Sequence, residues 1–299
     1  MPLIQILKKR EVDLALLLVA AFWGGSYLAA KELTEHTSVV ALLAIRFSIT
    51  SIAMFAIWTI KRTSITRSEA LLGLGLGSVQ ALILFFETSG VARTSATNAG
   101  LIISLCIVLT PILESVASKN WLPRSFFITA VTAVVGVALL VSDKGFAAPS
   151  VGDWLMLAAA VVRAIHVTSM GHLTKGKSYS SVSITLLQSL ACAFIFLIFS
   201  GNQTIDAIKT FESAQWAGML YLSLIAGALS FILTLWGIRR TSSSRASLLL
   251  GTEPVWAVLV GVALGGEKLL ALGAIGAVLI VGSTYVGQAI EQKHRTSGL

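Results

Sequence analysis

Charge is what this sequence has least of. Only 12% of its 299 residues are Asp, Glu, Lys or Arg, against 56% hydrophobic, and the mean hydropathy is +0.86. A soluble globular domain carries about twice that share of charge, so composition places the chain in a membrane. Polar linkers are scarce too. Connectors such as Arg93-Thr94 and Glu267-Lys268 are a few residues long, which leaves no room for a soluble domain and makes neighbouring spans antiparallel. The two cysteines, Cys106 and Cys192, lie inside apolar runs, which argues against a disulfide framework. His36, His166, His172 and His294 never stand three or four residues apart, so no helical metal pair is expected. No P-loop occurs, which argues against ATP-driven pumping. Gly73, Gly75 and Gly77 follow no strand, and close helix approach is the better reading of them. Gly24-Gly25-Ser26 with His166 could mimic an intramembrane serine hydrolase, but a Gly-x-Ser in a glycine-rich helix is too common to carry one. The net charge is +8, yet the basic residues stand singly between apolar runs, so nucleic acid is not expected as a partner and the charges read as topology signals. No enzyme activity, cofactor or metal is expected.

What the chain does hold is ten apolar runs, at about 12–33, 38–60, 69–92, 95–118, 124–142, 151–174, 179–200, 214–238, 243–264 and 268–290, each long enough to cross a bilayer. The first follows Lys8-Lys9-Arg10, is too long for a signal segment and shows no clear cleavage site, so it counts as an uncleaved span. Of the 22 Lys and Arg residues, Arg93, Lys144, Lys209 and Lys268 fall on one side of the membrane and Lys31, Arg46 and Arg163 within spans; the rest lie on the other side. The basic side is cytoplasmic, which puts both termini there.

One stretch occurs twice. Gly90-Val-Ala-Arg-Thr-Ser-Ala-Thr-Asn-Ala99 matches Gly237-Ile-Arg-Arg-Thr-Ser-Ser-Ser-Arg-Ala246 at a spacing of 147 residues, and Asn120 then falls in register with Glu267. A polar connector repeats by chance less easily than an apolar helix, so the chain reads as a duplication, with halves at 1–145 and 146–299. Five spans per half is odd, so the second half enters the membrane inverted. The expected fold is all-α, with ten transmembrane helices in two inverted five-helix repeats. Such repeats are a recurrent way to build a carrier around a midplane site.

Charges inside a bilayer cost on the order of 2.5–3.5 kcal/mol each on insertion scales, so each calls for a reason. Arg163 is open to two readings: recognition of an anionic group, most simply a carboxylate, or a structural role as a salt bridge to Glu253 or a cap on broken-helix carbonyls. His166 is a proton relay or a hydrogen-bonded wall residue. Glu253 accepts a coupling proton or neutralises an arginine, and Glu87 is a second candidate for a proton or an amine. Arg46 reads as structural. Trp23, Tyr27 and Lys31 recur every four residues and share a helix face, an aromatic wall for an apolar side chain or a flat cation. Gln80 is a candidate for the polar lining, and Trp236 lines the site or anchors the helix. Trp58, Trp121, Trp154 and Trp216 lie near span ends as interface anchors. Pro111 and Pro254 fall inside spans and can kink them at a gate. They are out of register: Pro254 aligns with Ile107.

Phe22-Trp23-Gly24, Arg46, the paired Arg-Thr-Ser connectors, Glu253-Pro254 and Gly266-Glu267 together resemble the EamA family of the drug/metabolite transporter superfamily, over nearly the whole chain. The resemblance implies a bacterial inner-membrane carrier, often an exporter of amino acids, related metabolites or toxic compounds, with a cavity lined by both halves. Arg163 and His166 depart from it, standing where such proteins commonly show an uncharged aromatic helix. The expectation is a secondary carrier that exports a small amino-acid-like metabolite by alternating access. Trp23 and Tyr27 form its wall, Arg163 meets the carboxylate, and a proton is a possible coupling ion. Efflux of flat cationic drugs and a non-transporting membrane scaffold are the competing readings.

Overall fold

The computed structural model describes residues 2–94, 102–141, 150–265 and 271–297. Asn98, Lys144, Gly266, Glu267, Lys268 and the junction at 145 lie outside them. In order, the helices are α1 (Pro2–His36), α2 (Val39–Lys61), α3 (Arg67–Val91), α4 (Cys106–Ser118), α5 (Arg124–Val141), α6 (Val151–Thr174), α7 (Ser181–Ser200), α8 (Gln203–Thr210), α9 (Ser213–Leu220), a π-helical stretch (Tyr221–Leu229), α10 (Ser230–Arg240), α11 (Ser243–Leu250), α12 (Glu253–Gly265) and α13 (Ala271–Ser297). No strand occurs among the described residues. Among the described residues, seven helical stretches are long and apolar enough to cross a membrane, Ser213–Arg240 counting as one, and Cys106–Ser118 and Arg124–Leu139 are shorter apolar helices. Side chains such as Ile60, Phe199 and Val278 are more than two-thirds exposed, as a lipid-facing surface requires. The short α8 was not expected. It fills the connector after α7 and packs Ala207 under α2.

Helix ends follow their caps. Thr66 with Glu69 and Ser150 with Asp153 close capping boxes at the starts of α3 and α6, satisfying backbone N–H groups that a helix leaves open. Glu69 also accepts from the Ser180 amide at 2.7 Å, tying α3 to the start of α7.

The expected ninth span is two helices. Gly251 and Thr252 interrupt it, with Thr252 N–H donating to the Leu249 carbonyl at 3.2 Å, one residue short of α-helical spacing. Pro254 is the second residue of the new helix. It therefore sits where a missing N–H costs nothing, rather than as a kink inside a span as expected. Leu105 N–H donates to Ile102 in the same way, also at 3.2 Å, and α4 begins at Cys106 as α12 begins at Glu253. These breaks stand at the spacing that separates the two connectors. The two broken segments touch, since a side chain added at Gly251 would strike Ile107. Pro111 does lie inside α4.

Equivalent helices meet in pairs: α2 packs along α7, and α5 along α13. Helix α3 packs on both α6 and α7, and α1 on α10 and α12. Close approach of α3 to α7 depends on Gly73 and Gly77. A Cβ on Gly77 would lie 2.7 Å from both the Gln188 backbone and the Ala191 Cβ, whereas one on Gly75 would meet nothing within 4 Å. Two of the three glycines thus serve helix approach, and Gly75 does not. Gly77→Val is expected to cost about 1–3 kcal/mol by overpacking and to lower the melting temperature in detergent. Gly75→Val should leave it unchanged, and equal effects would refute this reading of the contact.

Trp121 and Trp154 are exposed, as interface anchors are. Trp216 differs: it packs edge-on against Phe211 with centroids 5.8 Å apart, at the rim of a core cluster.

Candidate functional site

A cavity of about 120 Å³ lies where α1, α2, α3, α6, α7 and α10 meet the two broken segments. Ser104, Cys106 and Ile107 border it from the first break, and Gly251, Glu253 and Pro254 from the second. Its floor is charged. The Arg163 guanidinium donates to Glu87 in a short ion pair and stands 3.6 Å from Glu253. It also lies 5.6 Å from the ring of Trp23, within cation–π range. One arginine from α6 thus holds a carboxylate from α3, a carboxylate from α12 and an indole from α1. Glu253 opens α12, so the positive end of that helix also supports its charge.

Arg163 is therefore committed in this structure. Tyr27, one turn beyond Trp23, has a buried hydroxyl that closes no hydrogen bond among the described residues. It lies among Val91, Ile103 and Met156 at the edge of the site. Lys31 is exposed and takes no part. His166 is buried and shares a hydrogen bond with Gln188 at 3.2 Å. Both border the cavity, as Gln80 does. Trp236 is elsewhere: it packs by the Leu16 and Ile238 cluster, under the Arg240 guanidinium at 4.4 Å. Pro111 is buried beside Thr110, which borders the cavity.

Arg46 was missed as a site residue. It borders the cavity, 7% exposed, and its Nε donates to the Leu222 carbonyl at 3.1 Å. That carbonyl belongs to the π-helical stretch, which is braced along its length. Thr50 donates to Ser223 at 2.9 Å and the Trp23 indole to Ala226 at 3.0 Å. Tyr221 donates to Phe22 at 2.6 Å, and Gly25 leaves room for its hydroxyl. The Phe22-Trp23-Gly24-Gly25 run thus carries the dock for this wide turn, and such turns often mark functional sites. Phe231 completes the wall, edge-on to Trp23 and stacked on Phe47. Spacing within α2 does not reveal that Arg46 faces a cavity, because its partners come from the second half of the chain.

A second polar network surrounds the Thr241–Arg245 connector. Arg245 donates to both carboxylate oxygens of Asp13 of α1 from Nε and one terminal nitrogen, at 2.9 and 2.6 Å, and its other terminal nitrogen lies 3.8 Å from Glu291 of α13. Glu114 of α4 accepts from the Ser243 and Ser244 amides at 3.3 and 2.6 Å, capping the open end of α11 with an anion. The first connector has a smaller version, in which Thr94 donates to Asp153 at 2.5 Å.

Comparison with known proteins agrees with this architecture. One solved crystal structure superposes with a TM-score of 0.76 at 18% identity, over 95% of this chain and 98% of its own, which shows a shared fold. An uncharacterized transporter of Archaeoglobus fulgidus is 28% identical over 92% of this chain and 84% of its own length. A protein of Escherichia coli described as a probable amino-acid metabolite efflux pump is 25% identical, over 93% and 94%. One of Streptantibioticus cattleyicolor described as a probable terminal-alkyne amino-acid exporter is 23% identical, over 89% of each. The EamA-like transporter family matches twice, at residues 11–142 and 150–286. This chain is an integral membrane protein that belongs to the EamA-like transporter family.

Proposed function

We propose that the protein is a secondary-active carrier exporting an amino acid or a related carboxylate-bearing metabolite from the cytoplasm across the bacterial inner membrane. In this reading the chain forms ten spans in two inverted halves, 1–145 and 146–299, with both termini cytoplasmic. The halves exchange inward-open and outward-open shapes around the cavity. The observation that carries the proposal is that cavity. It is enclosed by matching helix breaks at Ser104–Leu105 and Gly251–Thr252 and holds two arginines and two glutamates in an apolar surround. Charges so placed mark substrate or ion pathways. Glu87 and Glu253 are the groups for an ammonium or a coupling proton. Two relatives, described as a probable terminal-alkyne amino-acid exporter and a probable amino-acid metabolite efflux pump, support the substrate class.

Efflux of flat cations is less favoured because Arg163 already stands by the Trp23 ring. Proteoliposomes loaded with unlabelled neutral amino acids should accumulate the labelled form by exchange. Exchange of cationic dyes with none of amino acids would overturn the substrate class, and no exchange of either would return the scaffold reading.

A further inference from the structure

We infer that Arg46 receives the substrate's carboxylate, and that the acidic pair around Arg163 receives its ammonium, making the cavity a receptor for zwitterions. The inference deepens the carrier reading and rests on it. Four Arg and Glu side chains border the cavity: Arg46, Glu87, Arg163 and Glu253. Arg163 pairs with both glutamates, so that group carries one excess negative charge when all three are ionised. Arg46 carries the balancing positive charge but stands apart. Among the described residues its side chain has no ion pair and makes one hydrogen bond, from Nε. Glu87 is near enough to act on it electrostatically yet is hydrogen-bonded to Arg163.

The Arg46 side chain is held by one edge. Leu222 accepts from Nε, and Thr50, one turn along α2, fixes the same π-helical stretch through Ser223. The two terminal nitrogens have no hydrogen-bond partner among the described residues and are not among the buried side-chain atoms sealed without one. They keep access to the cavity. A guanidinium presented in this way offers the fork that matches two carboxylate oxygens. A buried charge without a counter-charge is costly, and an arriving carboxylate removes that cost. Trp23 and Phe231 supply an apolar wall for the side chain.

The test uses the purified full-length protein and three neutral amino acids: L-leucine, L-phenylalanine and L-threonine. Each is compared with its amide and with the matching acid that lacks the amine, by titration calorimetry in detergent. In the wild type, both the amide and the amine-free acid should bind more weakly than the amino acid. Arg46→Gln should lose about tenfold to a hundredfold in affinity for the amino acids, the scale of a charged hydrogen-bonded pair, and should no longer distinguish acid from amide. If Arg46→Gln still prefers the acid over the amide, the carboxylate lies elsewhere and the inference fails while the carrier reading stands. If no amino acid binds the wild type, both fail. Should Arg46→Gln not purify as a folded helical protein, Arg46→Lys decides, since it keeps the charge and a donor for Leu222 but loses the fork. A reduced preference for the acid supports the inference, and an unchanged one overturns it.

Discussion

Replacing Arg163 by glutamine should destabilise the protein more than removing all three charges of its cluster. The single variant leaves Glu87 and Glu253 facing each other in a cavity without their cation. Orphaning one side of a buried pair costs about 3–5 kcal/mol, whereas replacing the whole group by neutral residues is often close to neutral. The triple variant Arg163→Gln, Glu87→Gln, Glu253→Gln should therefore melt near the wild type, and the single variant well below it. Light-scattering or fluorescence melts in detergent measure both. A single variant as stable as the triple would mean that the glutamates do not depend on Arg163. The triple variant also separates folding from function, because it should remain folded yet fail to exchange amino acids.

Breaking the network at the second connector should open that end of the molecule. Arg245 bridges α1 and α13 through Asp13 and Glu291, and charge-assisted bonds of this kind contribute about 1.5–3 kcal/mol. If they hold one of two conformations closed, Arg245→Met shifts the population by about tenfold or more. Cys106 reports on this without engineering: it borders the cavity and is partly exposed, whereas Cys192 is fully buried. Alkylation of Cys106 by a charged thiol reagent, applied to vesicles from the side of the Arg245 connector, should accelerate by about that factor. An unchanged rate would show that the network is static scaffolding. The corresponding contact at the first connector is a hydrogen bond from the Thr94 hydroxyl to Asp153, and removing that neutral donor by Thr94→Ala predicts a smaller effect.

Sequence reasoning reached the site unevenly, for identifiable reasons. Trp23, Gln80, Glu87, Arg163, His166, Glu253 and Pro254 were all candidates, and all seven border one cavity. They were found because a charge, an amide or an indole in an apolar run is costly and therefore conspicuous. Trp236 was equally conspicuous but belongs to a stack with Arg240, since an aromatic near a basic helix end has a use there too. Arg46 was visible and read as structural, and its place at the cavity was not legible because its carbonyl partner Leu222 lies 176 residues away. The break at Ser104–Leu105 was legible in principle. It stands in register with Gly251–Thr252, but without a proline it has no local signal of its own.

The sequence by itself determined the membrane class, the transporter family and the repeated connector. Those follow from quantities that are local or periodic: hydropathy over a span and a polar motif recurring at fixed spacing. Tertiary structure alone decided which charges neutralise each other and which is left over. Arg163 could meet a substrate, Glu253 or broken-helix carbonyls on sequence grounds, and the crossing of α3, α6 and α12 gives it Glu253 and also Glu87. Arg46 read as a strut on sequence grounds, and the wide turn at Tyr221–Leu229 takes its Nε–H while the residue borders the cavity. Pairing of this kind depends on how helices from distant parts of the chain rotate against one another, which no periodicity within a single helix encodes.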